Sequence, residues 1–197
     1  MKILIGTKNR DKFSEIREIL SGLDFELLSA ADFDDLPDVV EDKDTIEGNA
    51  IKKAEEMAMR SGMYVLADDT GLFVDALGGD PGVYSARYAG ETCSYRDNRM
   101  KLLDEMTGIT ERNASFRTVV ALADDKGKVL ATVEGEVEGE IIFEEKGDKG
   151  FGYDSIFLCN ETGKTFAEMS SDDKHKISHR GRAFKKMLTK IKELNLL

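Results

Sequence analysis

Two neighbouring carboxylates, Asp68 and Asp69, interrupt an apolar stretch near the middle of the chain. Residues 64–67 are apolar before them, and residues 72–74 resume the apolar pattern. On a strand that ends at Asp69, the two side chains would point to opposite faces, with one aimed at a cleft. A bound Mg²⁺ would offset the like charges, and one carboxylate could then orient or deprotonate a water molecule. The alternative is a solvated turn, which we predict for the similar triplet at residues 123–125.

An acidic segment, DVVEDKD, offers a further carboxylate for such an ion. Glu41 is a candidate metal ligand within it. Spacing alone does not distinguish Glu41 from Asp38, Asp42 or Asp44, because all four lie within one short segment. The identity of the third acidic residue therefore stays open on these grounds.

A possible phosphate-binding segment, GTKNRDK, joins the first predicted strand to the first predicted helix. The start of a helix offers unpaired N–H groups and the positive end of its dipole, both of which attract phosphate. Thr7 and Asn9 add side-chain donors, and Lys12 lies one turn inside the helix. Only Gly6 is present, so this is not the glycine-rich loop of nucleoside triphosphatases. A capped helix with exposed lysines is the alternative interpretation.

The segment KGFGYDSIF combines glycines with aromatic side chains. Gly150 and Gly152 flank Phe151 and permit close approach of the backbone to a ligand. Phe151 or Tyr153 could stack on a nucleotide base, while backbone groups near Asp154 could contact the edge of the base. By itself, the segment is also compatible with an ordinary glycine-bordered entry into a strand.

The segment DKHKISHRGRAF holds both histidines of the chain, His175 and His179. A zinc site is a poor interpretation of this pair, because such a site needs ligands beyond two histidines and no HExxH pattern is present. Lys174, Ser178, His179 and Arg180 instead place donors just before a helix. Positive charge there opposes the helix dipole, and an anionic or carbonyl-bearing ligand would relieve that conflict.

Composition limits the class of protein. The chain has 197 residues and a formal net charge of -11, so we expect one domain over residues 1–197 and no nucleic-acid partner. Its two cysteines indicate a reducing cytoplasm, since they are too few for a disulfide framework. The N-terminal apolar run is too short for a signal peptide, and no stretch is long enough to span a bilayer, so we expect no membrane partner.

Hydrophobic periodicity predicts an α/β fold with a mixed sheet flanked by helices. Thr45 is a suitable cap for a long helix, and Gly62 is a suitable end for it. An Asp-Asp-Lys-Gly turn predicts a hairpin between two later strands. The predicted strands are 2–7, 24–30, 63–69, 72–77, the hairpin 114–141, and 154–160. The predicted helices are 9–22, 46–61, 94–106 and 179–194.

Taken together, these motifs resemble the inosine triphosphate pyrophosphatase family. The resemblance runs through TKNRDK, EGNAIKKA, LADDTGLFVDALGGDPGVYSARYAG, FGYDSIF and SHRGRA, which spread over nearly the whole chain. Lys8 stands where glycine is common in the family, and Thr70 where serine is common. The resemblance implies an elongated fold with two lobes and a central cleft, usually as a homodimer. It also implies Mg²⁺-dependent hydrolysis of ITP, dITP and XTP to the nucleoside monophosphate and pyrophosphate.

The same resemblance implies three groups of site residues. Those expected to bind phosphate are Thr7, Lys8, Asn9, Arg10, Asp11, Lys12, Lys53 and Thr70. Those expected at the metal are Glu41, Asp68 and Asp69, with Asp69 also the base for the attacking water. Those expected at the purine are Phe151, Gly152, Tyr153, Asp154, Lys174, His179 and Arg180, with Phe151 stacked on the ring and the last three reading the base.

Two other functions remain open at this point. One is a pyrophosphatase for other modified nucleotides, pyrimidines included, although the SHRGRA and FGYD motifs favour a purine. The other is a non-catalytic nucleotide sensor, which would not need the pair Asp68 and Asp69. Tight binding of ITP without turnover would favour the sensor.

Overall fold

The computed structural model describes residues 2–22, 26–36 and 38–196. Within those ranges the chain forms eight strands and five α-helices, joined by turns and short 3-10 segments. The strands are β1 (Lys2–Ile5), β2 (Glu26–Ser29), β3 (Tyr64–Val74), β4 (Pro81–Gly82), β5 (Asn113–Ala123), β6 (Val129–Ile141), β7 (Phe157–Cys159) and β8 (Lys164–Thr165). The helices are α1 (Arg10–Ile19), α2 (Ile46–Ser61), α3 (Tyr95–Glu105), α4 (Ser171–Ile177) and α5 (His179–Glu193).

The strands form one mixed sheet in the order β2-β1-β3-β5-β6-β7-β8, and β4 pairs with β3. β1 runs parallel to both β2 and β3. The β3–β4, β6–β7 and β7–β8 pairs are antiparallel. The prediction of an α/β fold with a mixed sheet and flanking helices is therefore confirmed.

Local sequence signals place α2 correctly at both ends. The Thr45 hydroxyl accepts a hydrogen bond from the Gly48 amide, and Gly62 ends the helix in the left-handed region with a φ of 64°. Ser94 caps α3, with a reciprocal hydrogen-bond pair to Asp97. Caps of this kind satisfy amide groups that the helix itself leaves unpaired.

Several predicted boundaries differ from the structure. The first strand ends at Ile5 and does not reach residue 7. The strand predicted over 154–160 is reduced to Phe157–Cys159, because the amides of Asp154 and Ile156 make turn hydrogen bonds just before it. α1 ends at Ile19, short of Gly22, with Leu20 as its C-cap. The second strand is confirmed from Glu26 to Ser29, while residues 24 and 25 of that prediction lie outside the described ranges. The predicted hairpin is confirmed as β5 and β6, and Asp124 in its turn accepts hydrogen bonds from two backbone amides.

The largest correction concerns β3. We expected a strand ending at Asp69 and a second one starting at Leu72, but a single strand of 11 residues runs through both. The polar residues 68–71 break the apolar pattern without breaking the extended backbone. Asp68 and Asp69 therefore lie inside a strand and not at its end, although they still point to opposite faces.

The described residues divide into two compact units. The first unit comprises those within Met1–Asp69, Thr118–Gly135 and Arg180–Leu197. Its core joins β1 to the first half of β3 and to the apolar faces of α1 and α5. The central side chains of this core are Ile3, Ile5, Ile16, Leu66, Leu122, Phe184 and Met187. Burying such side chains contributes about 1.5–3 kcal/mol each.

The second unit comprises Thr70–Arg117 and Glu136–His179. Its core is rich in aromatic side chains, and Phe116, Phe157 and Phe166 pack there with ring centroids 4.7–6.0 Å apart. Tyr153 lies in the same core. Of the helices described, none is long and apolar enough to cross a membrane.

Candidate active site

β3 carries its two carboxylates past the end of the neighbouring strand. β1 pairs with β3 up to Ile5, opposite Leu66, and the Gly6 amide makes one more hydrogen bond, to the Leu66 carbonyl. A Cβ atom at Gly6 would lie 2.9 Å from the Cβ of Ala67, so a larger residue would not fit here without a shift. Asp68 thus lies at the carboxyl end of a parallel pair, where α/β sheets commonly bind ligands.

Asp69 is held by two side chains from α2. Lys53 Nζ lies 3.4 Å from Asp69 Oδ1, and the Asn49 amide donates to Asp69 Oδ2 at 3.1 Å. Asn49 and Lys53 are four residues apart and therefore share a helix face. Lys53 Nζ also donates to Glu41 Oε1 at 2.7 Å. We call Glu41, Lys53 and Asp69 the Lys53 cluster.

Sequence reasoning missed Asn49, although its spacing from Lys53 was available in the motif EGNAIKKA. Asn49 is buried, and its side-chain oxygen accepts from the Lys43 amide at 3.0 Å. One amide therefore connects the acidic segment 38–44 to Asp69. Within that segment, the hydrogen bond from Lys53 distinguishes Glu41 from its acidic neighbours, which spacing alone could not do.

Asp68 faces a different set of side chains, which we call the Asp68 cluster: Lys12, Glu15, Asp68 and Arg180. Arg180 Nη2 lies 3.3 Å from Asp68 Oδ2, and Lys12 Nζ lies 3.6 Å from the same oxygen. Arg180 also donates to Glu15. Only 2% of Arg180 and 1% of Asp68 is exposed, so these charges are compensated inside the protein.

The two aspartates differ in their acidity. Burial raises the pKa of both carboxyls, but around Asp68 the charges of Lys12, Arg180 and Lys53 outweigh burial and hold its pKa well below the usual range. Around Asp69 burial wins over Lys53 and Lys12, with help from Glu41, so its pKa is raised. Burial alone would lower the pKa of Lys53, yet Asp69 and Glu41 raise it. The site therefore combines a firmly ionised Asp68, a protonated Lys53 and a more basic Asp69.

The donor set suits a divalent ion. Asp69 and Glu41 are carboxylates on either side of Lys53, and their mutual repulsion contributes to the raised pKa of Asp69. No group of three His, Cys, Asp or Glu side chains forms a complete cage among the described residues. Mg²⁺ needs no such cage, because it usually binds one or two carboxylates, several waters and substrate phosphates.

The segment before α1 is partly occupied by its own hydrogen bonds. The Asn9 side chain caps the helix and accepts from the amides of Asp11 and Lys12 at 2.9 and 3.2 Å. Thr7 Oγ1 accepts from the Asn9 amide. Lys8 lies 3.1 Å from Asp38. The structure therefore confirms that this helix is capped. Lys12 extends from its first turn to the Asp68 cluster.

The remaining residues expected at the phosphates differ in their burial. Arg10 and Asp11 are exposed in the first turn of α1, and Thr70 is half-buried on β3. The structure gives Arg10 and Asp11 no place in either cluster of the first unit.

In the second unit, Phe151 sits on a loop shaped by glycine. Gly150 and Gly152 have φ values of 71° and 62°, a region that L side chains rarely adopt. The Phe151 amide donates to Asp154 Oδ2 at 3.0 Å, and Lys174 Nζ donates to the same oxygen at 2.6 Å. Lys174 Nζ also lies 5.2 Å from the centre of the Phe151 ring, a cation–π distance.

Tyr153 and His179 are buried in the second unit. The Tyr153 hydroxyl donates to the Ser85 carbonyl at 2.9 Å, so this ring belongs to the core, and Phe151 is the better-placed of the two for stacking. The His179 ring stacks on Phe116 at 4.6 Å. His179 begins α5, while Lys174 lies on the separate helix α4. The structure therefore connects Phe151, Asp154 and Lys174 directly.

The fold is a mixed α/β sheet with two buried carboxylates at the end of its parallel strands. Lysines from two helices lie beside these carboxylates. This arrangement is typical of enzymes that act on phosphate groups. The chain matches the Ham1 family over residues 3–190, and it belongs to that family.

Similar proteins with curated names support this family membership. The chain is 48% identical over 184 residues to the dITP/XTP pyrophosphatase of Geobacter sulfurreducens, covering 92% of each chain. It is 47% identical over 198 residues to that of Elusimicrobium minutum, covering 98% of this chain and all of the other.

Solved structures show the same fold. The Ham1 protein of Staphylococcus aureus is 36% identical, with a TM-score of 0.86 over 98% of this chain and 99% of the other. A nucleoside-triphosphatase/dITP/XTP pyrophosphatase from Mycobacterium abscessus is 37% identical, with a TM-score of 0.76 over 95% and 99%. The expected family is confirmed by these likenesses.

Proposed function

We propose that this protein hydrolyses non-standard purine nucleoside triphosphates, namely ITP, dITP and XTP, to the nucleoside monophosphate and pyrophosphate. Relatives that share nearly half of its residues over almost its whole length carry the name dITP/XTP pyrophosphatase. The observation that carries the proposal is the Lys53 cluster, where a buried ammonium group separates two carboxylates, one of them with a raised pKa.

We propose that Asp69 and Glu41 hold Mg²⁺ and that Asp68 supports this metal shell from the opposite face of β3. When bound, the ion would neutralise phosphate charge and make a bound water more acidic. The pairing of Asp68 with Lys12 and Arg180 keeps its charge fixed and so keeps β3 in place. Asp69 and Glu41 are the carboxylates that share Lys53.

Asp69 acts as the general base in this proposal. Its raised pKa brings it closer to neutral pH, where a carboxylate accepts a proton more readily. Asp69 takes a proton from water as the water oxygen attacks the α-phosphorus. The bond from that phosphorus to the bridging oxygen breaks, and pyrophosphate leaves with the electron pair. Asn49 and Lys53 fix the orientation of the carboxylate throughout.

The polyphosphate is bound by the start of α1, with Thr7 to Lys12 around it, and by Lys53 and Thr70. Lys12 and Lys53 supply charge, and charged donors form the stronger hydrogen bonds to phosphate oxygens. The pair between Lys8 and Asp38 is largely exposed, and exposed pairs contribute little stability. Lys8 can therefore exchange its carboxylate for a phosphate at small cost.

The base is bound by the second unit, with Phe151 stacked on the purine ring and Gly152 to Asp154 beside it. Lys174 and His179 contact the base edge. Arg180 retains its expected role as a base contact, supported by its position directly after His179, although its present partners are Asp68 and Glu15.

We further propose that residues 1–197 work as one domain, as a homodimer, in the cytoplasm. The family match spans both compact units, which supports one functional domain. Cys93 and Cys159 are both free, as is usual in a reducing compartment. The homodimer follows from the family likeness and is tested by the mass of the protein in solution.

Side-by-side hydrolysis of ITP, dITP, XTP, ATP, GTP and a modified pyrimidine triphosphate, with and without Mg²⁺, tests the activity. We expect equal amounts of nucleoside monophosphate and pyrophosphate from the first three, dependence on Mg²⁺, and slow cleavage of the others. Release of inorganic phosphate from ITP instead would overturn the proposed cleavage position.

Two outcomes would favour the other functions. Faster cleavage of the modified pyrimidine than of ITP would indicate a house-cleaning enzyme of a different specificity. Tight ITP binding without products, in the presence of Mg²⁺, would indicate a nucleotide sensor.

A further inference from the structure

α3 presents two side chains to the loop that carries Phe151. We call residues 145–155 the Phe151 loop. The Tyr95 ring lies 5.7 Å from the Phe151 ring, centre to centre, at a tilt of 39°, a favourable distance for an aromatic pair. Arg99 Nη1 donates to the Gly152 carbonyl at 2.8 Å. Tyr95 and Arg99 are four residues apart, so they project from one face of the helix.

Arg99 also binds the beginning of the loop. Its Nε donates to Glu145, and the Ser155 hydroxyl donates to the same carboxylate oxygen at 3.2 Å. The hydrogen bond from Arg99 lowers the pKa of Glu145, which is therefore ionised at neutral pH. A single guanidinium group thus connects the first residue of the Phe151 loop to the carbonyl directly after Phe151.

The loop depends on such tethers for its shape. Its turn uses the left-handed glycines Gly150 and Gly152, which have more conformational freedom to lose than other residues. A pocket of about 150 Å³ borders the loop and is lined by Arg99, Glu145 and Phe151 among others. The loop therefore borders open space at this pocket.

We propose that Tyr95 and Arg99 are positioning residues that hold Phe151 in place to stack on the purine base; this rests on the proposed function. Arg99 fixes the backbone on the far side of Phe151, and Tyr95 limits the tilt of its ring. An aromatic platform that is already ordered gives up less conformational entropy when the base binds. The pair therefore strengthens base binding without contacting the phosphates.

Arg99→Leu is the main test. We expect it to weaken binding of inosine monophosphate and to raise the KM for ITP by about tenfold, because a charge-assisted hydrogen bond is lost. Inhibition by pyrophosphate, which has no base, should change less than twofold, and kcat should change less than KM. Arg96→Leu is the matched control, since Arg96 is an exposed arginine of the same helix.

Conservative variants separate positioning from general stability. Arg99→Lys keeps a donor for the Gly152 carbonyl and should recover part of the lost affinity. Tyr95→Phe should bind inosine monophosphate like the wild-type protein, whereas Tyr95→Ala should bind it several-fold more weakly. If Arg99→Leu does not fold, these variants still test the positioning role.

The possible results distinguish this inference from the proposed function. Wild-type protein that neither binds inosine monophosphate nor cleaves ITP would overturn both. An active wild-type protein, with Arg99→Leu and Tyr95→Ala binding inosine monophosphate normally, would overturn the positioning role alone. Equal losses of inosine monophosphate and pyrophosphate binding would also overturn it, because they would indicate a general effect on the fold.

Discussion

Asp68 and Asp69 are adjacent in sequence but differ in chemistry, because β3 turns them to opposite faces. Asp68 meets two cations, Arg180 and Lys12, and remains ionised. Asp69 pairs with Lys53, which also binds Glu41, and its pKa is raised by burial. One strand thus carries a firmly ionised carboxylate on one face and a more basic carboxylate on the other.

Asp69→Asn should abolish most turnover while leaving the fold intact. The substitution removes the proposed base and one of two proposed metal ligands, and general bases contribute about 10²–10⁴-fold to rate. Removing one of two like charges beside Lys53 should not lower the melting temperature of the ligand-free protein. Steady-state ITP hydrolysis at saturating Mg²⁺ and thermal unfolding are the measurements.

Asp75→Asn is a suitable control for that experiment, since Asp75 is an exposed carboxylate that directly follows β3. We expect it to turn over ITP like the wild-type protein. An Asp69→Asn variant with more than about a tenth of the wild-type kcat would rule out Asp69 as the base.

Arg180→Ala should lower the free energy of unfolding as its main effect. It should also reduce the preference for ITP over ATP. The guanidinium is buried between Asp68 and Glu15, and removing one partner of a buried ion pair costs about 3–5 kcal/mol. Urea unfolding should show that loss, while the exposed arginine variant Arg60→Ala should stay within about 0.5 kcal/mol of the wild-type value.

Kinetics on ITP and ATP test the second role of Arg180. A guanidinium can donate to the 6-keto oxygen of inosine but has no acceptor for the 6-amino group of adenine. If Arg180→Ala unfolds like the wild-type protein and narrows the ITP-to-ATP ratio of kcat/KM by about tenfold, Arg180 is mainly a base contact. If both substrates decline in parallel in an unstable variant, it is mainly the partner of Asp68.

At the scale of elements, α1 and α2 each bring a lysine to one of the two aspartates. Lys12 lies in the first turn of α1, near Asp68, and Lys53 lies in the middle of α2, near Asp69. Each helix thus places its lysine nearest to a different aspartate, although both lysines act on both carboxyl groups. Substitutions of either lysine should therefore weaken binding of the polyphosphate more than binding of the base.

Lys12→Ala should weaken inhibition by pyrophosphate by about tenfold, roughly 1.4 kcal/mol, because a charged donor at the helix start is lost. Inhibition by inosine monophosphate should weaken much less. Inhibition constants for both products are the measurement, with the exposed Arg17→Ala of the same helix as control. Equal weakening for both products would place Lys12 away from the polyphosphate.

The elements differ in how well the sequence predicts them. α2 begins and ends where Thr45 and Gly62 indicate, because caps are local interactions between near neighbours. The unbroken β3 was missed because residues 68–71 are polar or glycine. Asp68 and Asp69 form ion pairs with residues that are distant in sequence, and these pairs stabilise this part of the strand. A local sequence pattern gives no sign of such partners.

In the candidate site too, local motifs were predictable from the sequence, whereas long-range contacts were not. Family motifs in the sequence pointed to Glu41, Lys53, Asp68 and Asp69. The structure joins Glu41 and Asp69 through Lys53, while Asp68 lies with Lys12 and Arg180. The partners of these residues were not predictable from spacing. Arg180 meets Asp68 across 112 positions of sequence, and only the folded chain brings Arg99 to Gly152. Long-range partners of this kind depend on the complete sheet.

At the scale of the whole molecule, the charges of the protein and its substrate have the same sign. The chain carries a formal net charge of -11, so a polyphosphate is attracted only where cations converge. Lys12, Lys53 and Arg180 supply such a place, but each already has a carboxylate partner. Binding of a polyanion should therefore depend on additional positive charge.

Mg²⁺ and pyrophosphate together should stabilise the folded protein more than either one alone. A ligand at a hundred times its Kd adds about 2.7 kcal/mol of stability, and each kcal/mol raises the melting temperature of a protein of this size by about 2–4 °C. We expect a rise of about 5–10 °C with both present, and a rise below about 2 °C for pyrophosphate with EDTA or for Mg²⁺ alone. Thermal unfolding of the wild-type protein and of Asp69→Asn is the measurement, and the variant should lose most of the combined rise because it lacks a metal ligand. An equal rise with pyrophosphate in EDTA would show that the lysines alone bind the polyanion and that the carboxylates of the Lys53 cluster hold no metal for it.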